Sequence, residues 1–175
     1  MRAQTTGGVS LPVVYVTSAL LDETARILAS FATIRDSEGV VYWFGIEIGD
    51  CATVTTLVVP RADTTFGYVS TSSAANAETL TVMAGTPLVL LGQAHSHPSS
   101  MVGHSATDDR DTFAQFPGAI SVVVPYFGRR GVQLDQCGVH RHISGSYRRL
   151  RGGTVRRHLF LLPSLADFRS ANAPL

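Results

Sequence analysis

The chain has 175 residues, a formal net charge of +1 and 45% hydrophobic residues. That length suits one domain with a sizeable core, and the near-neutral charge exerts no general pull on nucleic acid. No apolar run approaches the ~20 residues of a membrane span, and Met1–Gly8 lacks the apolar stretch of a signal peptide. Two cysteines, Cys51 and Cys137, are too few for a disulfide framework. The expectation is a single domain over 1–175, its core at about 11–162, cytoplasmic, with buried and reduced thiols.

In chain order, Leu11–Val16 reads as a strand. Ser18 then caps a helix to about Phe31, whose Leu20, Leu21, Thr24, Ile27, Leu28 and Phe31 recur at helical spacing and predict one buried face. Val40–Ile48 and Thr53–Val59 predict two strands joined by a turn at Gly49-Asp50, with Trp43 in the core. Pro60–Ser73 is a polar loop with a short strand at Phe66–Tyr68, and Asn76–Met83 is helical. Pro87–Ala94 is an apolar run of strand length. Ala106–Phe116 reads as a helix, and Ala119–Tyr126 as a β-branched central strand. Val132–His142, Tyr147–Arg151 and Arg156–Leu162 follow as strands, and Pro163–Leu175 as a short helix and tail.

All 14 basic residues are arginine, a bias that a GC-rich genome explains. Arg129, Arg130, Arg141, Arg148, Arg149, Arg151, Arg156 and Arg157 crowd one segment against a single acid, Asp135. This reads as a solvated sheet edge guarded by arginine. His140 and His142, without a suitably placed carboxylate after them, read as structural or exposed.

The most specific pattern is His95-Ser96-His97-Pro98, then six residues, then Ser105-Ala106-Thr107-Asp108. Alternate residues of an extended chain face one side, so both imidazoles point the same way. Pro98 stops the strand, because it has no N–H to give a ladder. Ser105 and Asp108, three apart at a helix start, are neighbours, and Ser-x-x-Asp alone is also a capping-box signal. If the intervening loop brings that first turn over the strand end, Asp108 joins His95 and His97. Two imidazoles and a carboxylate form a common catalytic zinc set with one position left open. Such a set still needs a general base.

These residues resemble the JAMM motif of the MPN-plus (JAB) metalloprotease family. That family has a glutamate upstream, at the start of a short apolar strand ending in glycine. Glu38-Gly39-Val40-Val41-Tyr42-Trp43-Phe44-Gly45 fits this form, with Tyr42-Trp43-Phe44 where the family more often carries small aliphatic residues. Glu47 is the competitor, but lies past the glycine. The resemblance covers about Ser18–Val124. It implies one Zn2+ per chain on His95, His97 and Asp108, Glu38 as general base, and Ser105 as hydrogen-bond donor to the oxyanion. It implies an α/β fold, with a curved mixed β-sheet flanked by helices in a cytidine-deaminase-like MPN arrangement.

What the family does becomes the functional expectation. The reaction is zinc-dependent hydrolysis of the amide or isopeptide bond after the C-terminal glycine of a ubiquitin-like protein, in deconjugation or precursor processing. Small bacterial members resemble deubiquitinase-like enzymes of operons that also encode E1-like and E2-like enzymes, including antiphage defence operons. The expected partners are therefore a ubiquitin-like protein or its conjugates and those enzymes, with neither nucleic acid nor membrane. The alternatives are a JAB peptidase acting on another small peptide or cysteine adduct, and a non-catalytic MPN scaffold.

Overall fold

A two-residue turn and a helix cap set the first half of the fold. The computed structural model describes residues 11–164, together with the backbone of the paired strands β1 (Thr5–Thr6) and β2 (Val9–Ser10). After β3 (Val13–Thr17) comes α1 (Ser18–Arg35). Thr17 rather than Ser18 is the cap, its hydroxyl accepting Leu20 N–H at 3.3 Å. The helix continues past Phe31 to Arg35, where Asp36 turns left-handed at φ 48° and donates its N–H to Ala32 O. Strands β4 (Val40–Ile48) and β5 (Cys51–Val58) pair antiparallel through Gly49-Asp50, and Gly49 supplies the φ of +58° that this tight turn requires.

Further along, the elements are β6 (Asp63–Thr65), β7 (Tyr68–Ser70), α2 (Ser73–Met83), β8 (Val89–Ser96), α3 (Ala106–Asp111), β9 (Ile120–Val124), β10 (Gly138–Ile143), β11 (Ser146–Arg149), α4 (Val155–His158) and β12 (Leu159–Leu162). Several expected boundaries move. Phe66-Gly67 is the turn of the β6–β7 hairpin and not a strand. Helix α3 stops at Asp111, well short of Phe116. The region from Val132 to Cys137 is turn, so β10 begins only where Gly138 lets the chain pass under Val102, whose carbonyl lies 1.7 Å from where a Cβ would sit. The segment from Val155 to His158 is a helical turn leading into β12. The expected tail beyond Ser164 lies outside the described residues.

Eight strands form one mixed sheet in the order β11-β10-β9-β8-β4-β5-β3-β12, as the α/β expectation requires. The pairs β8–β9, β3–β5 and β12–β3 are parallel and the others antiparallel. The sheet curls strongly enough that Arg141 of β10 reaches the far edge, donating to Pro12 O at 2.8 Å and to His158 O at 3.3 Å. Arg141 is thus wholly buried, which corrects its expected place on a solvated edge, while Arg148 and Arg149 do lie exposed on edge strand β11. Cys51 is likewise exposed and only Cys137 is buried.

The main core lies between α1 and the sheet, with Leu21, Leu28, Val41, Trp43, Val54, Ile120 and Val122. Trp43 is fully buried, and its indole N–H donates to the Thr24 hydroxyl at 3.3 Å. A second cluster, Val40, Tyr42, Phe44 and Met83, fills the other face under α2. Strands β8 and β9 approach closely at Gly92, where a Cβ would lie 2.1 Å from Ile120 O. Among the described residues no helix is long and apolar enough to cross a membrane.

Gly92→Ala is expected to destabilise the fold by about 3 kcal/mol, because overpacking here meets backbone rather than a yielding side chain. Urea unfolding monitored by Trp43 fluorescence measures it.

Candidate metal centre

The parallel pair β8–β9 needs a long crossover. That crossover, residues 97–119, carries α3 back over the carboxyl end of β8 and places Asp108 against His95 and His97. His95 Nε2 stands 3.5 Å from Asp108 Oδ1, and His97 Nε2 stands 3.5 Å from Asp108 Oδ2. One ligand atom from each of the three residues lies within 4.8 Å of the others. Zinc bonds of about 2.0–2.2 Å at tetrahedral angles separate donor atoms by about 3.4 Å, so this spacing fits the ion.

The hydrogen bonding supports the same fit. His97 Nδ1 lies 2.7 Å from Met101 O, which can only accept, so Nδ1 carries the proton and Nε2 is the free donor atom. His95 is 2% exposed, and neither of its ring nitrogens has a hydrogen-bond partner. A buried unpaired imidazole is costly, and a cation at Nε2 relieves part of that cost.

Asp108 is oriented by its own helix start. Ser105 Oγ accepts Asp108 N–H at 3.1 Å, and Asp108 Oδ2 accepts Ser105 N–H at 2.6 Å. The Ser-x-x-Asp segment is therefore a capping box, and the same box aims the carboxylate at the histidines. Ser105 is exposed, and its hydroxyl also stands within reach of the Asp108 carboxylate.

Glu38 sits in the turn before β4, two residues ahead of the strand it was expected to begin. The register pairs Val40 with His95, which puts Glu38 and Gly39 beside Ser96 and His97. Ser96 faces away from the two histidines and fixes that turn. Its hydroxyl accepts Gly39 N–H at 3.0 Å, and its own N–H donates to Gly39 O at 3.0 Å. Glu38 N–H donates to Thr65 O at 2.8 Å, which ties the turn to the β6–β7 hairpin. Glu47 lies on the exposed end of β4, away from this turn.

The charges at the site follow from burial. Burial pushes the Glu38 carboxyl up to about 7; nearby His97 opposes the rise and the Asp108 charge adds to it. Burial acts against ionised Asp108 too, but the His97 contact, the His95 ring and the Ser105 N–H and hydroxyl hold it well below the usual range. Burial drives His95 down to about 3. For His97 burial is outweighed by the Asp108 and Met101 hydrogen bonds and by the Glu38 and Asp108 charges, and its pKa rises.

The motif reading passed over two residues beside this site. Ser96 gave no signal beyond strand alternation. His104, in the loop between Pro98 and Ser105, has its ring buried beneath α3, where it stacks on His140 at 3.9 Å. His140 and His142 are both buried, so the structural half of that reading applies.

No protein-family model matches the sequence, and no curated protein matches it. Among solved structures, the chain is similar to the solution structure of a protein from Desulfitobacterium hafniense, with a TM-score of 0.62 and 19% identity over 87% of this chain and 95% of that one. It is also similar to the solution structure of a protein from Salinibacter ruber, with a TM-score of 0.55 and 18% identity over 78% of this chain and 88% of that one. At such identities these likenesses show a shared fold alone.

The histidines make the metal-free chain acid-sensitive. His95 and His140 are held at about 3 and about 4, from 6.5, mainly by burial. Between those values the unfolded chain binds protons that the folded chain excludes, so stability falls as pH falls. Burial lowers His104 and His158 in the same sense, while His97 and Glu38, both raised, bind protons more readily in the fold and act in the opposite sense, two groups against four. The urea midpoint of the metal-free protein is expected to drop from pH 7 to pH 4.5; a constant or rising midpoint would show that proton uptake by Glu38 and His97 in the fold outweighs its exclusion from the buried imidazoles.

Proposed function

We propose that the chain is a JAMM-type zinc metalloprotease with an MPN (JAB), cytidine-deaminase-like fold. The observation that carries this reading is the convergence of His95, His97 and Asp108 within 4.8 Å, beside a buried glutamate whose proton affinity is matched to neutral pH. His95 Nε2, His97 Nε2 and an Asp108 oxygen would hold one Zn2+ per chain. When bound, zinc supplies a Lewis acid that makes water a nucleophile near neutral pH and polarises an acyl oxygen.

The chain's own groups supply the rest. Glu38 accepts the proton of the attacking water at its carboxylate and returns it to the departing amine. A base with a pKa near the working pH does both steps well, and burial places Glu38 there. The hydrogen bonds from Gly39 to Ser96 and from Glu38 to Thr65 hold the backbone that carries that side chain. Ser105 donates its hydroxyl hydrogen to the oxygen that becomes negative as the acyl carbon turns tetrahedral. Its oxygen is already anchored on Asp108 N–H, so only the hydroxyl hydrogen has to rotate from the Asp108 carboxylate to that oxygen.

The substrate is the amide or isopeptide bond after the C-terminal glycine of a ubiquitin-like protein, in deconjugation or precursor processing. The setting is a bacterial cytoplasm, beside E1-like and E2-like enzymes of one operon, with antiphage defence as its role. Support for this substrate class is the resemblance of the Glu38, His95, His97, Ser105 and Asp108 set to the JAMM motif.

The test uses zinc-loaded protein and a ubiquitin-like protein encoded beside it, fused through its C-terminus to a reporter. The wild type is expected to cleave after the terminal glycine, and Glu38→Gln to lower the rate by about 10²–10⁴-fold with zinc still bound. Equal cleavage by both would remove Glu38 from the mechanism. No cleavage by a zinc-bound wild type would reject this substrate class.

A further inference from the structure

Helix α3 presents a physical problem. It carries Asp108, yet none of its six residues is buried. A helix this short is not stable by itself, and with no apolar face it cannot be held by packing. Polar bonds must hold it. One runs from Phe113 N–H to Gln93 Oε1 at 3.2 Å, just beyond the helix, and a longer one from the Tyr68 hydroxyl to Asp111 Oδ2 at 3.4 Å.

The strongest tie is His104, immediately before the capping serine. Its ring is buried, with a side-chain exposure of 4%. Nδ1 lies 2.7 Å from Asp109 Oδ1, on the first turn of α3. Nε2 lies 2.9 Å from Ser121 Oγ, on β9. A carboxylate only accepts, so Nδ1 carries the proton, and Nε2 accepts from the Ser121 hydroxyl. The ring stacks on His140 at 3.9 Å and meets the Tyr147 ring edge-on at 5.0 Å, which leaves it little freedom to tilt.

Asp109, His104 and Ser121 are spaced like a hydrolase triad. Ser121, however, is wholly buried within β9, and no substrate can reach its hydroxyl. What the three residues do is join α3 to the sheet. Strand β9 is paired directly with β8, the strand of His95, and Ser121 lies opposite Gln93.

We propose that His104 is a positioning residue of the metal centre: by bridging Asp109 to Ser121 it fixes α3, and with it Asp108, at the height where one ion can meet Asp108, His95 and His97 together. This rests on the metal-centre reading of those three residues. Without the bridge, the capping box survives as a local unit, but the unit is free to lift from the sheet. The three donors then have to be gathered by the ion itself, and affinity falls.

The experiment is a zinc titration of the metal-free, full-length protein against a chromophoric chelator, with cobalt(II) absorption to report donor geometry. The variants are His104→Ala, Ser121→Ala, the double variant, and His95→Ala as a control. His104→Ala and Ser121→Ala are each expected to weaken zinc binding by about 10–100-fold, the range for groups that orient metal ligands. Both should shift the cobalt spectrum while far-ultraviolet circular dichroism stays native. Because the two residues act through one bridge, the double variant is expected to bind no more weakly than the weaker single. Wild-type affinity in both folded singles, or losses that multiply in the double, would overturn the positioning role. If His104→Ala does not fold, Ser121→Ala, which deletes one hydroxyl, decides alone. A wild type that binds zinc no better than His95→Ala would instead overturn the metal centre itself.

Discussion

The structure depends most on the pairing of the Gly39 turn with Ser96. Two hydrogen bonds of 3.0 Å join them, one in each direction, at the point where β4 enters the sheet against β8. They fix the register that places Val40 opposite His95. They also set Glu38 and the two histidines at one end of adjacent strands, facing a common space. A slip of one residue would send the imidazoles to the opposite face, because strand side chains alternate. The serine between the histidines is thus the counterpart of the site on the other side of the strand. It holds the Glu38 turn while its neighbours face Asp108.

Asp108 arrives by a different route. A parallel neighbour for β8 obliges the chain to leave the sheet and return, and the return path crosses the strand ends. Ligand sites in open α/β sheets collect at such places for this reason. Here the crossover brings its own polar core. Gln93, Ser121, His104 and His140 form a buried polar layer beneath α3, each bonded to a neighbour or stacked on one. The layer substitutes for an apolar interface, and it gives direction as well as attachment, since hydrogen bonds fix angles and apolar contacts do not.

Arg141 is the third long-range constraint. Burial lowers its pKa to about 10, so it stays charged at neutral pH. It is held by the carbonyls of Pro12 and His158 rather than by a carboxylate. A buried cation is costly unless its donors are satisfied, and only the curled sheet brings those two carbonyls to β10. The curl therefore gives both terminal nitrogens of Arg141 a carbonyl, while Nε is left without a partner, and Arg141 in turn fastens the strand ends that the curl brings near.

Much of this was legible in the residues. The histidine spacing, the proline stop, the capping signal at Ser105 and the alternation of apolar runs are local, and local stereochemistry decides them. On those grounds the strands β4, β5, β8 and β9, the helices α1 and α2, and the set His95, His97 and Asp108 could be picked out in advance. The errors have non-local causes. Helix α3 ends early because Phe113 gives its N–H to Gln93, far away in sequence. Strand β10 starts late because the loop at Val102 lies over Gly138. Arg141 is buried because the two edges of the sheet approach one another. His104 stands in a loop that by composition should be solvated, and becomes a buried tie only when β9 and β10 supply Ser121 and His140. The sequence by itself determined which groups face one side of a strand or cap a helix, since those relations span only a few bonds. Tertiary structure alone decided which of them meet, because the partners are brought together by the sheet order and its curl.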